Sequence, residues 1–379
     1  MKFLSLFAST LLAAGAIAAS SFVSTEGTQF TLDGKPFYSE GTNAYYLMNS
    51  DQDTVQQVFK QSKSLGLPVV RTWLFNLGTD SVWFQQWDAI KKQMIINDDS
   101  ETGLGRIDYV IQQAAAQGIK LIFALNNNWE DYGGMDYYVK NFGGKYHDDT
   151  NEDMIASFKE YINHVVNRKN SLTGVKYSED PTIFGWEIAN EVRCEGGENF
   201  PASSNCSTAT TTAWIKEISS YIKSIDNNHS SLSAMKASST TRALLSNYEY
   251  NGGSGMDFDA ILALDSIDFG TFHLYPETWG KDTNGSWATQ YIQDHVTAQE
   301  DAGKPVIMEE YGLSTAELRD AQYPVWQGIV EKKNLAADAF WQIAMPCSKM
   351  DSFELCASDE DISTTVTKHA KAMAAKNSA

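Results

Sequence analysis

The sequence predicts an α/β fold, a single (β/α)8 TIM barrel. Short runs rich in β-branched and aromatic residues alternate along the chain with segments of helical periodicity. This alternation continues over roughly 360 residues, which fits a ring of parallel βα units better than a doubly wound sheet. No glycine-rich nucleotide-binding fingerprint follows any strand-like run, and this weakens the doubly wound alternative further.

The helical segments show their periodicity directly. In GRIDYVIQQAAAQG, the apolar residues Ile107, Val110, Ile111 and Ala114 recur at i, i+3, i+4 and i+7, and Gly118 is placed to end the helix. A strand-like run, KLIFALNN, follows at once. The same order recurs along the chain and predicts strands near 38–43, 69–75, 120–126, 183–190, 267–273, 306–311 and 338–342.

A barrel needs one more strand, the fifth, at about residues 230–243. That stretch reads SSLSAMKASSTTRA, which is rich in Ser and Thr and shows no strand pattern. The fifth strand is therefore doubtful on the sequence alone. No Pro-, Ser- or Gly-rich linker, low-complexity tract or short repeat divides the chain, so we expect residues 19–379 to form one domain.

The N-terminus has the three parts of a secretory signal peptide. MKFLSLFASTLLAAGAIAAS carries one positive charge, an apolar stretch and a small-residue end with an A-x-A-like site at 16–18. A membrane anchor is the alternative, but the run is short and no later stretch approaches the roughly 18 apolar residues that spanning needs. We predict removal of residues 1–18 and an extracellular protein. Three Asn-x-Ser motifs fit the glycosylation pattern, at Asn205, Asn228 and Asn284.

The charge of the chain limits its partners. The formal net charge is −19, which disfavours binding to nucleic acid or to anionic membrane surfaces. It does not disfavour a neutral polymer such as a polysaccharide. The 10 Trp and 17 Tyr residues exceed what a core alone needs, and flat aromatic faces suit sugar rings. We expect a monomer that binds neither nucleic acid nor membrane.

The four cysteines predict two disulfides in a secreted chain, with three possible pairings. Proximity in sequence favours Cys194 with Cys206 and Cys347 with Cys356. A zinc site is the alternative, but the sequence has no C-x-x-C pair and no histidine at ligand spacing.

Each of the seven predicted strands ends in a polar or aromatic side chain. A single residue of this kind is usually a satisfied hydrogen-bonding group. In a barrel, however, all of these side chains meet at the carboxyl ends of the strands, where active sites lie. The set is Asn43, Arg71, Asn126 to Asn128 with Trp129, Asn190, Glu191, His273, Tyr275, Glu309, Glu310, Tyr311 and Trp341.

Two of these carboxylates, Glu191 and Glu310, lie on the fourth and seventh strands of the barrel. Glycoside hydrolysis needs such a pair, one as general acid/base and one as nucleophile or base. Arg71 and Tyr275 are placed to keep the nucleophile ionised by charge and hydrogen bonding. The neighbouring carboxylates at 187 and 309 are expected outside the catalytic pair, each either offset from the strand end or on the opposite face of its strand by the two-residue period.

Six ordered motifs carry a family resemblance. RTWLFN, NNNWEDYGG, GWEIANEVRC, DFGTFHLYPETWG, MEEYG and FWQ resemble the fungal endo-β-1,4-mannanases of glycoside hydrolase family 5, from about Ser21 to Trp341. NNNWEDYGG and TFHLYPETWG favour mannanases over the cellulases of the family. The resemblance implies retaining hydrolysis, by double displacement, of internal β-1,4 bonds in mannan, galactomannan and glucomannan, without metal or organic cofactor.

The resemblance also implies roles for single residues. Glu191 matches the acid/base, Glu310 the nucleophile, and Asn190 the residue that binds the sugar 2-hydroxyl beside the reacting carbon. Retaining geometry predicts carboxyl groups roughly 5–5.5 Å apart. The remaining matches are a polar shell of Arg71, His273 and Tyr275, an aromatic floor of Trp341, and cleft-lining rings of Trp73 and Trp129.

Two stretches depart from the family. The family has an apolar strand and a Gly-Asp-Glu-Gly turn at the first of them. Residues 230–242 can be written in codons that, with one C restored in front, read Leu-Val-Ala-Leu-Gly-Asp-Glu-Gly in the shifted frame, which leads us to hypothesise a compensated frameshift over roughly 230–243. An ordinary divergent loop is the alternative. The stretch after Trp341 also fits poorly, so the pair of Cys347 and Cys356 is the less secure one. Other readings of the whole chain are a different β-glycanase of family 5, endoglucanase or exo-glucanase, and a non-catalytic polysaccharide-binding barrel.

Overall fold

The computed structural model describes residues 21–78, 81–197, 199–235, 250–281, 285–347 and 351–378, with the backbone alone for 231–235. The predicted signal peptide lies outside the described residues. The strands in chain order are β1 (Ser24–Glu26), β2 (Gln29–Leu32), β3 (Lys35–Pro36), β4 (Ser39–Asn43), β5 (Val69–Trp73), β6 (Gln85–Asp88), β7 (Gln93–Ile96), β8 (Lys120–Ala124), β9 (Ile183–Glu187), β10 (Ser230–Met235), β11 (Phe269–Leu274), β12 (Val306–Tyr311) and β13 (Ala337–Phe340).

Eight of these strands form a closed parallel barrel, in the order β4, β5, β8, β9, β10, β11, β12 and β13. The predicted (β/α)8 fold is therefore confirmed. β1 to β3 form a small antiparallel sheet, and β6 pairs with β7 in a separate hairpin. Strand ends differ from the prediction: β9 stops at Glu187 instead of continuing to 190, so Glu191 lies beyond the strand.

The fifth barrel strand is present, and doubt about it was wrong for residues 230–235. The backbone of β10 pairs with β9 at Ser230 and Gly185, and with β11 at Leu232 and Phe269. Two flanking strands supply ladder partners on both sides, so pairing forms here in spite of a sequence with weak β-propensity. Residues 236–243, the rest of the stretch that motivated the frameshift hypothesis, lie outside the described residues.

Helices surround the barrel and bury the faces that their periodicity predicts. In the first, Val55, Val58 and Phe59 are buried, the Asp51 side chain accepts from the backbone N–H of Thr54, and Gly66 ends the helix at φ 85°. The helices are α1 (Gln52–Leu65), α2 (Gly105–Gln117), α3 (Gly134–Asn141), α4 (Glu152–Asn167), α5 (Thr208–Ile225), α6 (Phe258–Leu262), α7 (Ser286–Ala302), α8 (Ala316–Lys333) and α9 (Lys368–Lys376).

The barrel interior is apolar at its amino-terminal end. Phe30 of the β1–β3 sheet packs edge-on against Phe184 and Phe269, with ring centroids 4.9 and 5.0 Å apart. Ten buried apolar residues form this floor. Above it, toward the carboxyl ends of the strands, buried polar and charged side chains replace the apolar ones, and this layer carries the candidate site: Asn43, Arg71, Glu187, His273, Glu309 and Glu310.

Both disulfides form with the predicted pairing, Cys194 with Cys206 and Cys347 with Cys356. Within the described residues there is no free cysteine. The same residues include no group of three or more His, Cys, Asp or Glu side chains suited to a metal ion. None of their helices is both long and apolar enough to cross a bilayer.

Candidate active site

Arg71 is the centre of the charged layer. It points inward from β5 and is fully buried. Its Nε and one Nη donate to both carboxylate oxygens of Glu187, at 2.6 and 2.7 Å, and its other Nη donates to Glu310 at 2.5 Å. The amide oxygens of Asn43 and Asn190 accept the remaining hydrogen bonds, at 3.0 and 2.7 Å. The planar guanidinium thus fixes five acceptor atoms relative to one another.

Glu187 has a partner that the sequence did not identify. Its carboxylate accepts two hydrogen bonds from the Arg71 guanidinium inside the barrel. Burial raises the pKa of Glu187 to about 7, and the attraction of Arg71 opposes part of that shift. Glu187 is therefore a support beneath the cleft, offset from the reactive positions as expected.

Glu309 does not point to the opposite face of its strand, which is one of the two placements that the sequence predicts for it. The pairing of β11 with β12 shifts register, so that Met308 lies opposite Phe272 and Glu310 opposite His273. This bulge breaks the two-residue period and leaves Glu309 unmatched. Its carboxylate lies 3.3 Å from the Arg71 Nε. Burial raises the pKa of Glu309, but the attraction of Arg71 and His273 prevails and lowers it overall.

Glu310 is buried at the bottom of the cleft, with donors on both oxygens. One oxygen accepts from Arg71, and the other accepts from the Tyr275 hydroxyl at 2.8 Å. The His273 Nδ1 lies 3.3 Å from that second oxygen. Burial raises the pKa of Glu310, while the positive charges of His273 and Arg71 and the Tyr275 hydrogen bond act in the opposite direction.

Glu191 lies just past β9 and faces Glu310 across the cleft floor. Its backbone adopts φ 50°, a left-handed conformation that costs a residue with a side chain about 1–3 kcal/mol. Its two oxygens contact different groups: the Trp129 indole N–H donates at 2.7 Å, and the His273 Nδ1 lies at 3.0 Å. The Arg193 guanidinium stacks over the Trp129 ring at 4.2 Å. The strained backbone therefore delivers the carboxylate to two fixed donors.

His273 connects the two carboxylates. Its Nδ1 lies 3.0 Å from a Glu191 oxygen and 3.3 Å from a Glu310 oxygen. These two oxygens are therefore separated by at most the sum of those distances, about 6.3 Å. Burial lowers the pKa of His273, but the surrounding carboxylates outweigh burial and raise it to about 10. The surrounding carboxylates therefore favour the protonated imidazolium, which can donate its Nδ1–H to either carboxylate.

An open cleft of about 610 Å³ lies directly above these groups. Trp341 forms part of its wall and stacks in parallel on Tyr45, with centroids 5.5 Å apart. Trp73 is largely buried beside them. Of the predicted residues, Trp73, Trp129, Asn190, Glu191, Tyr275, Glu310 and Trp341 line the cleft, and Arg71 and His273 lie directly beneath it.

Several residues that line the cleft were not predicted from the sequence. Tyr45 follows the first barrel strand by two residues, and Trp279 belongs to a motif already recognised, so proximity to a strand end could have indicated both. Asp351, Phe353 and Glu354 also line the cleft. They come from the stretch that departs from the family, and no motif indicated them.

Comparison with known proteins agrees with this geometry. A family model described as GH family 5 beta-mannosidase-like matches residues 20–149 and 140–354. The chain belongs to glycoside hydrolase family 5. Within family 5, it is 37% identical to the probable mannan endo-1,4-beta-mannosidase C of Aspergillus terreus, over 92% of this chain and 91% of that protein. It is 38% identical to the probable mannan endo-1,4-beta-mannosidase A-1 of the same fungus, over 85% and 79%.

Solved structures of endo-mannanases have the same fold as this chain. The endo-1,4-beta-mannanase of Rhizomucor miehei is 74% identical and superposes with a TM-score of 0.91, over 94% of this chain and all of that one. The endo-beta-1,4-mannanase of Thermotoga petrophila is 32% identical with a TM-score of 0.75, over 89% of this chain and 77% of that one.

Proposed function

We propose that this family 5 member is a secreted, retaining endo-β-1,4-mannanase with Glu310 as nucleophile and Glu191 as acid/base. The observation that carries the proposal is the pair of carboxylates held on one histidine nitrogen, with nearest oxygens no more than about 6.3 Å apart. Retaining enzymes keep their carboxyl groups about 5–5.5 Å apart, whereas inverting enzymes leave about 6.5–9.5 Å for a water molecule. The 74% identity to an endo-1,4-beta-mannanase supports mannan as the substrate.

In the first step, an oxygen of Glu310 attacks the anomeric carbon and forms a glycosyl ester as the glycosidic bond breaks. Glu191 gives its proton to the departing oxygen, so the negative charge passes from Glu310 to Glu191. The Nδ1–H of His273 lies within reach of both carboxylates, and its donation can follow that charge. Arg71 and Tyr275 hold Glu310 at the floor of the cleft before the attack.

In the second step, Glu191 removes a proton from a water molecule, which attacks the anomeric carbon and releases Glu310. The sugar leaves with its original configuration after two inversions. The amide of Asn190 lies at the cleft beside both carboxylates, anchored by Arg71 and Asn127, and we assign it to the sugar 2-hydroxyl. Trp341 supplies the aromatic floor. An open cleft admits the interior of a long chain, which suits endo cleavage of mannan, galactomannan and glucomannan.

Secretion is part of the proposal and rests on the N-terminal sequence and the two disulfides. Expression of the full chain in a secretory host should place the protein in the medium with an N-terminus at residue 19. N-terminal sequencing measures this directly, and a protein retained in the cell with residues 1–18 still attached would contradict it.

Activity is tested on unsubstituted mannan, galactomannan and carboxymethylcellulose, with Glu191→Gln and Glu310→Gln beside the parent. The parent should release reducing ends from the mannans and not from carboxymethylcellulose, and proton NMR should show the β-anomer first. Both variants should fold and lose nearly all turnover. An active Glu310→Gln enzyme would overturn the assignment. Cleavage of carboxymethylcellulose alone would indicate a different β-glycanase, and mannan binding without hydrolysis a non-catalytic barrel.

A further inference from the structure

One wall of the cleft is built by residues 351–356, which come from the stretch that departs from the family. The Cys347–Cys356 disulfide closes this segment onto the chain that leaves β13. Backbone hydrogen bonds fix it further: Leu355 N–H donates to the Gln342 carbonyl, and Ala344 N–H donates to the Leu355 carbonyl, both at 2.8 Å. The segment is therefore anchored beside Trp341 at three points.

Asp351 joins this wall to Trp341. One carboxylate oxygen accepts from the indole N–H of Trp341 at 2.9 Å, and the other accepts from the backbone N–H of Phe353 at 3.0 Å. The stacked ring of Tyr45 limits the indole from its face. The Asp351 carboxylate thus sets the in-plane orientation of Trp341, the ring that we assign to the surface under the sugar.

Phe353 packs against Tyr275, with ring centroids 5.4 Å apart at 63°. Gly312 lies against both rings: a Cβ added there would be 2.9 Å from Tyr275 and 3.0 Å from Phe353. The rings therefore have no spare room on that side. The hydroxyl of the same tyrosine donates to Glu310 at 2.8 Å. Phe353 therefore helps to fix the Tyr275 ring, and that ring carries the hydroxyl that donates to Glu310 at the cleft floor.

We propose that the disulfide-closed segment 351–356 positions the catalytic site, with Phe353 keeping the Tyr275 hydroxyl on Glu310 and Asp351 orienting Trp341. Asp351 and Phe353 act through another residue and are positioning residues. The inference rests on the proposed function only in assigning Glu310 and Trp341 their roles. The contacts themselves are independent of the substrate.

The test for Phe353 compares Phe353→Ala with Phe142→Ala, a half-buried phenylalanine that packs on Trp87 away from the cleft. Loss of the Tyr275 hydrogen bond to a charged carboxylate should lower kcat about 10-fold in Phe353→Ala. It should also move the acidic limb of the kcat/KM profile to higher pH, because that hydrogen bond favours the ionised carboxylate.

The other groups facing Glu310 are Arg71, His273 and Glu191, and the substitution should leave them in place because it does not alter their contacts. Phe142→Ala should keep the parent profile. Phe353→Tyr retains the ring and should restore both kcat and the acidic limb. A folded Phe353→Ala enzyme with parent kcat and an unmoved acidic limb would overturn the role of Phe353.

For Asp351, the expected change is in KM. Asp351→Ala frees the Trp341 indole and should raise KM at least fivefold with a smaller change in kcat, whereas Asp351→Asn keeps an acceptor oxygen and should recover most of the affinity. The Cys347→Ser/Cys356→Ser double variant should show both defects together, while an unchanged KM in Asp351→Ala would overturn the role of Asp351.

Failure of the proposed function is distinguishable from failure of this inference. If the parent cleaves a different β-glycan, the same ratios are measured on that glycan. If the parent cleaves none, a crystal structure of Phe353→Ala decides. A Tyr275 hydroxyl displaced from Glu310 would support positioning, and a hydroxyl still bonded to Glu310 would overturn it.

Discussion

Replacement of Arg71 by Met should destabilise the protein strongly and should do so more at high pH. The variant leaves the buried carboxylates of Glu187, Glu309 and Glu310 without the cation that contacts all three. Removing one partner of a buried ion pair costs about 3–5 kcal/mol, which is a large share of a typical total of about 5–15 kcal/mol. Arg71→Met should therefore be close to unfolding at 37 °C.

The pH dependence follows from Glu187. Its folded pKa, about 7, is raised above the ordinary glutamate value of 4.5, so ionising it costs stability as the pH rises through that interval. Without Arg71 the pKa rises further, because the guanidinium opposes the effect of burial. The loss of unfolding free energy in Arg71→Met should thus be smaller at pH 5, where Glu187 keeps its proton, than at pH 8.

Urea unfolding of parent and variant at pH 5 and pH 8 measures this difference. The matched control is Arg319→Met, which removes another buried arginine bonded to Asp361 at 2.6 Å, outside the residues that line the cleft. The control should lose stability but keep the kcat of its folded fraction, whereas Arg71→Met should lose both. A parent-like urea midpoint for Arg71→Met at pH 8 would refute the reasoning.

Three further outcomes are expected. Tyr275→Phe removes one donor to Glu310 and should lower kcat about 10- to 100-fold, measured on mannan at the pH optimum; parent-like kcat would contradict it. Trp129→Phe removes the indole donor to the acid/base and should lower kcat more than it raises KM. The His369 ring contacts Asp338 at 3.0 Å, and the carboxylates outweigh burial and raise its pKa to about 10 from 6.5. Its stabilisation is complete below pH 6.5 and lost toward pH 10, so the parent Tm should fall over that range, and the Tm of His369→Gln should fall less.

Much of the fold was predictable because hydrophobic periodicity records burial. Seven strands were found that way, and the eighth was not. The backbone of Ser230–Met235 pairs because neighbouring strands present partners, and a Ser-rich sequence carries no signal of that. Strand ends were less accurate, since the chain leaves β9 at Glu187 although its apolar pattern continues.

The site was predictable where residues lie at strand ends and not where irregular backbone places them. The inward placement of Glu309 was not predictable, because a bulge in β12 has no signature in a two-residue period. The sequence did not identify Arg71 as the partner of Glu187. The Arg71 guanidinium binds acceptors from several strands at once, and the pattern along one strand does not show which acceptors these are. Asp351 and Phe353 line the cleft because they belong to a disulfide-closed segment. They are far in sequence from any strand end, so their place at the cleft could not be predicted from the strand pattern.

The apolar floor of the barrel has a consequence for behaviour in salt. Phe30, Phe184 and Phe269 close the amino-terminal end, so in the part of the chain that the structure describes the open approach to the charged layer is the cleft. A glycan chain lying in the cleft covers that remaining entrance. Counterions are then kept from Arg71 and its carboxylates on both of these sides, and buried pairs are screened far less than exposed ones. Turnover at saturating substrate should therefore change little between low ionic strength and about 1 M salt.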